Sequence, residues 1–169
     1  MSVFNTRYWF RPGVRLSMYV LALLIGVVAG LRTMTAPTAV SWAAYLGWLP
    51  LRETPLAFFG FAATPYIFTV LAIAEFIVDQ LPNTASRTVP IQFGARLVSG
   101  GLSGAAIGAA HGGWVGGVIA GLVGAVIGTL GGARARGAMS RAFGRDRPAA
   151  LVEDAVAVVA AALIVMAVQ

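Results

Sequence analysis

Long apolar runs, interrupted by short polar breaks that contain proline or glycine, organise this chain. The runs at residues 16–31, 56–78, 95–110, 114–130 and 149–168 have the length and apolar character of membrane-spanning helices, which need roughly 20 residues to cross a ~30 Å hydrocarbon core. A further stretch at 38–49, rich in Trp42, Tyr45 and Trp48, follows a break at Thr35-Ala36-Pro37. Proline disfavours helical geometry in the residue before it, and Thr35 is a suitable cap for a new helix. At ~1.5 Å per residue this stretch covers only ~18 Å, too short to span. Pro65 predicts a kink within the run at 56–78. The pattern predicts an all-α, polytopic bundle of five spanning helices plus one short re-entrant or interfacial helix, in a single membrane domain over residues 1–169.

Charge refines this picture. The chain is 59% hydrophobic and 11% charged, its mean hydropathy is +0.84, and its twelve basic residues are all arginine. The formal net charge of +6 would suit nucleic acid in a soluble domain, but here the arginines flank apolar runs, which points to lipid headgroups and to no nucleic-acid partner. Arg7, Arg11 and Arg15 lie in the tail at 1–15, and Arg134, Arg136, Arg141, Arg145 and Arg147 lie in the loop at 133–147. Under the positive-inside rule both segments are expected in the cytoplasm, with a retained first helix, an external C-terminus and an inner-membrane location. That topology needs four crossings between the two segments, so 38–49 is expected not to cross.

Ionisable groups inside spanning segments are costly and mark polar interiors. Glu75 and Asp79 share one helix face at i, i+4 spacing. With Glu153 and Asp154 they are expected to form a cytoplasmic-side acidic cluster for proton or cation coupling, with Arg96 as counter-charge. Arg32 is expected to sit apart, near the external end of the first span. With Thr33 and Thr35 at the start of a new helix it makes a candidate anion-binding site, and Ser86 and Arg87 carry similar chemistry on the other side. Broken helices build such sites in many transporters.

Glycine supplies a third pattern, with 14 of the 21 glycines between Gly94 and Gly132. Gly100, Gly104 and Gly108, then Gly113, Gly117 and Gly121, then Gly124, Gly128 and Gly132 recur every fourth residue. Such spacing strips side chains from one helix face and lets backbones approach. A tight hairpin of the third and fourth spans is expected, with an oligomer interface as a second use. No cysteine is present, which excludes disulfides and thiolate chemistry. No catalytic triad or metal-ligand spacing appears, so neither an enzyme nor a metal or other cofactor is expected.

The segments Gly30-Leu31-Arg32-Thr33-Met34-Thr35-Ala36-Pro37, Glu75-x-x-x-Asp79-x-Leu81-Pro82-x-Thr84-x-Ser86-Arg87-Thr88, Ala95-Arg96-Leu97-x-Ser99-Gly100 and Glu153-Asp154 together resemble a bacterial family of small membrane proteins. That family is catalogued as domain of unknown function 4126. The resemblance runs from about Leu16 to Val168 and implies a polytopic membrane protein without implying an activity. Where the family often carries Lys after the Asp, this chain has Gln80. The expected function is a small transporter or channel-like protein for an ion or small solute, anions included, acting as a homo-oligomer. The alternative is a non-transporting structural, assembly or lipid-binding subunit of a membrane complex.

Overall fold

The computed structural model describes residues 12–80 and 89–169. Among these residues the chain is all-helical: α1 (Pro12–Leu31), α2 (Thr35–Tyr45), a 3-10 turn (Ala57–Gly60), α3 (Thr64–Val78), α4 (Pro90–Ala109), α5 (Trp114–Phe143) and α6 (Asp146–Ala167). Prolines open these helices rather than bend them. Pro12 and Pro90 begin α1 and α4, and Pro65 stands in the first turn of α3. The first-turn N–H groups have no helical acceptor, so proline sacrifices nothing there. The expected kink at Pro65 is therefore a helix start, and the predicted run at 56–78 shortens to the 15 residues of α3.

Five spanning helices were expected; among the described residues only α5 and α6 are long and apolar enough to cross a membrane. Helix α3, at 15 residues, falls short in length. In α4, Gln92 and Arg96, with the glycines and serines, lower the hydropathy of a 20-residue helix. The apolar stretch Ser17–Leu31 belongs to the 20-residue helix α1. The two long helices are a limited sign of a membrane location. Helix α2, with 11 residues, covers only ~16 Å.

Helix α5 is the axis of the bundle. A Cβ added at Gly121 would lie 2.2 Å from the Gly100 carbonyl oxygen, and one at Gly117 would lie 2.3 Å from that of Gly104. On a second face, a Cβ at Gly124 or Gly128 would meet the carbonyl oxygen of Leu23 or Val27 at 2.0 and 2.1 Å. Helices α4 and α1 thus reach α5 backbone to backbone. The pairings fix direction: α4 runs antiparallel to α5, and α1 runs parallel to it. The four-residue glycine series is spent inside one chain.

Direction alternates along the whole chain. The Trp42 indole donates to Thr69 Oγ1 at 3.0 Å while Thr33 and Met34 meet Glu75, so α3 runs antiparallel to α2. Helix α6 returns along α5 from the corner at Gly144, whose φ of +66° closes α5 in the left-handed conformation that glycine tolerates. The start of α1 and the end of α6 therefore lie at the same end of the bundle, opposite the arginine-rich corner at 134–147. The sequence reading placed the basic tail beside that corner and the C-terminus across from the tail. Residues 1–11 lie outside the described residues, and the start of α1 shares an end with the close of α6 because α2 runs back along α3 and α6.

Polarity is inverted relative to a water-soluble domain. Val70, Ile77, Val98, Ile119, Val159 and Leu163 are exposed, while Arg32, Arg96 and Glu153 are buried. Small-residue packing makes this fold sensitive to single methyl groups. Gly121→Ala is expected to cost about 1–3 kcal/mol through overpacking. Gly131→Ala, where a Cβ meets nothing within 4 Å, should leave stability unchanged or raise it. Thermal unfolding of the two variants in detergent checks this; equal melting temperatures would contradict the close-packed axis.

Candidate functional site: a buried ionic centre at a helix break

Residues 32–34 interrupt the chain between α1 and α2, and the interruption lies at the same end as the C-terminus of α3 and the N-termini of α4 and α6. A helix break inside a packed bundle exposes two sets of backbone groups with opposite partial charge. Each set is met by a side chain of opposite sign. Arg96 of α4 donates to the Gly30 and Leu31 carbonyls, at 2.9 and 2.7 Å, at the negative end of α1. Glu75 of α3 accepts from the Thr33 and Met34 N–H groups, at 2.7 and 2.8 Å, at the positive end of α2. The two capping groups face each other at 4.0 Å. Ser99 Oγ donates to the Thr33 carbonyl and ties the break to α4 from another side.

Arg32 occupies the break itself and is completely buried. Its guanidinium is ion-paired to Asp79 of α3 and to Asp154 of α6, and it lies 5.6 Å from the ring centroid of Phe76. Arg136, from the continuation of α5, lies 3.6 Å from the Glu153 carboxylate and 4.0 Å from that of Asp79. It also pairs with Asp146 at 2.6 Å, and Ser140 Oγ donates to the same carboxylate at 2.6 Å.

The structure thus gathers Arg32, Glu75, Asp79, Arg96, Glu153 and Asp154 into one network. Arg32 does not sit apart from the acids, as expected from the sequence, but between two of them. The correction has the same cause as the topology: α1 ends, rather than begins, at the charged end. Thr33 contributes backbone groups, and its N–H is taken by Glu75. Thr35 does not cap α2; Met34 holds that position without a side-chain bond, and Glu75 supplies the acceptor from another helix. Among the described residues, the buried Thr35 hydroxyl has no hydrogen-bond partner. Ser86 and Arg87 lie outside the described residues.

Among the described residues, the carboxylates of Glu75, Asp79, Glu153 and Asp154 face the guanidiniums of Arg32, Arg96 and Arg136, and Asp146 also draws on Arg136. The side chains of Glu75, Asp79, Asp154 and Arg136 are 14–16% exposed, whereas those of Arg32, Arg96 and Glu153 are 0–4% exposed. Among the described residues, no group of three or more His, Cys, Asp or Glu side chains is placed to hold a metal ion. His111 lies in the turn between α4 and α5, with Nδ1 3.1 Å from the Ile107 carbonyl oxygen.

The sequence reading gave no role to Ser99, Ser140 or Asp146. Nor did it give one to Arg136, assigned to a basic loop at 133–147, although α5 continues through Phe143. A signal for it existed: Gly128, Gly132, Arg136 and Ser140 follow one face at four-residue spacing, and no proline intervenes before Gly144. No family model matches the chain, and no curated protein or solved structure matches it either.

Removing one member of a buried ion pair typically costs about 3–5 kcal/mol, because the partner charge is left uncompensated. Arg32→Met is expected to fall in that range. Adding Asp79→Asn and Asp154→Asn should restore most of the loss. Thermal unfolding in detergent reads both, with Arg134→Met at an exposed position as the control.

Proposed function

We propose that this chain is a multi-pass membrane protein whose acid-rich centre carries a proton or small cation. The observation that carries this reading is the pairing of one sealed guanidinium, Arg32, with two partly accessible carboxylates, Asp79 and Asp154. Either acid can accept a proton or turn to a cation while the other keeps Arg32 neutralised. Buried ionisable residues in a membrane are costly to retain, and broken helices frame ion sites in many transporters. The exposed apolar faces of α3, α5 and α6 support the membrane setting. The arginine-rich corner at 134–147 favours a cytoplasmic position for the charged end, with both described chain ends outside. The motif residues Arg32, Glu75, Asp79, Arg96 and Glu153-Asp154 carry the proposed kinship with the domain of unknown function 4126 family.

A cation suits the centre better than an anion. The two groups that would attract an anion, Arg32 and the start of α2, are already held by carboxylates of the chain itself. A second reading, a non-transporting subunit, is favoured by one observation: Arg32, Arg96 and Arg136 all have acidic or carbonyl partners, and α1, α4 and α5 are locked backbone to backbone.

Reconstitution into liposomes loaded with a dye sensitive to protons, sodium or potassium in turn separates the readings. Wild-type protein is expected to dissipate an imposed proton, sodium or potassium gradient faster than empty liposomes. Asp79→Asn and Asp154→Asn should each reduce that flux at least ~10-fold while retaining the fold. Wild-type flux at the empty-liposome level for all of these ions would sink the transport reading and leave the subunit.

A further inference from the structure

The segment that joins α2 to α3 lies at the end of the bundle opposite the ionic centre, and it encloses a cleft of about 710 Å³. Leu49 and Leu51, both buried in the core, line its inner side. The Thr54 N–H and hydroxyl both donate to the Leu51 carbonyl, at 3.0 and 2.8 Å, and close the turn that carries Arg52 and Glu53. Those two residues line the cleft and are exposed, and among the described residues neither has an ion-pair partner. Tyr45 and Phe61, 43% and 62% exposed, line it as well. Phe61 leads into α3, whose Tyr66, Ile67 and Val70 form an exposed apolar face.

Two unpaired charges of opposite sign in one cleft complement a molecule that carries both signs a few bonds apart. Exposed aromatic rings beside an apolar helix face mark the depth at which lipid headgroups meet hydrocarbon. We propose that the cleft holds the headgroup of a zwitterionic phospholipid with a primary ammonium, its phosphate at Arg52, its ammonium at Glu53 and its acyl chains along α3. A primary ammonium donates charge-assisted hydrogen bonds to a carboxylate. A quaternary ammonium has no N–H to donate, and an anionic headgroup offers Glu53 no cation, so the pair of side chains selects against both. The site rests on the membrane setting proposed above and not on ion flux, and none of the paired carboxylates of the ionic centre lines it.

Native mass spectrometry of the full chain in detergent, with ethanolamine, choline and glycerol phospholipids of matched chains added in equal amounts, reads the binding directly. The ethanolamine lipid is expected to be retained about 1.5–5-fold more than either of the others, the worth of an exposed ion pair. Glu53→Gln should remove that preference, and Arg52→Gln should lower retention of all three lipids. Both are exposed positions, so the variants keep the fold. Arg134→Gln, at the opposite end of the bundle, should change neither result. Glycerophosphoethanolamine, which has the headgroup without the chains, should not displace the lipid at equal concentration. Equal retention of the three lipids by the wild-type chain would overturn the proposal, as would a preference that survives Glu53→Gln or displacement by the soluble headgroup. A chain that stays dispersed without detergent and retains no lipid would overturn the membrane setting and the site together. Asp79→Asn should leave retention unchanged, so this result and the flux result stand or fall separately.

Discussion

A break between two helices in a water-poor interior must have both of its ends satisfied, and the rest of the charged end follows from that requirement. The carbonyls that close α1 need donors, and the N–H groups that open α2 need acceptors. Arg96 and Glu75 meet them from α4 and α3, with the sign that each helix dipole favours. Placing Arg32 at the same break adds a fixed positive charge with no route to water. Asp79 and Asp154 neutralise it, which recruits the end of α3 and the start of α6. Arg136 then balances Glu153 and the outer side of Asp79. Each added charge is the consequence of the one before.

Such a network needs helices that approach closely. Arg96 can reach the α1 carbonyls at 2.7 and 2.9 Å because α4 and α1 both lie against α5 without intervening side chains. Alanine and glycine, more than large aliphatic residues, fill the contacts between these helices. Cohesion there comes from dense van der Waals contact and from backbone groups held at short range. Large apolar side chains are displaced to the outer surface, where they meet lipid in the proposed setting. The same rearrangement leaves a groove between α2, α3 and α6, where short helices and small residues do not fill the space.

The ionic centre and the groove stand on either side of Phe76. On one side stand paired charges set by backbone geometry, the proposed place of proton or cation exchange. On the other, an apolar groove opens onto the outer face of α3 and α6. Helix α3 borders both, so a shift of that helix would be felt by each.

Much of this was legible in local sequence pattern. Apolar periodicity marked the helices, the acids and Arg96 stood out as charges within apolar runs, and the glycine series marked faces stripped of side chains. Misreadings were local as well: Pro65 was taken for a kink rather than a helix start, and Arg136 for a loop residue. What sequence alone determined was the helical class and most of the charges that the fold draws together. Those follow from hydropathy and proline stereochemistry, which act within one segment. Only the tertiary structure decided that α2 returns along α3 and α6, that Arg32 lies between Asp79 and Asp154, and that Glu75 rather than Thr35 caps α2. Such pairings join residues from separate helices, 27 or more positions apart, and they depend on which helix faces come together, a choice no single segment encodes.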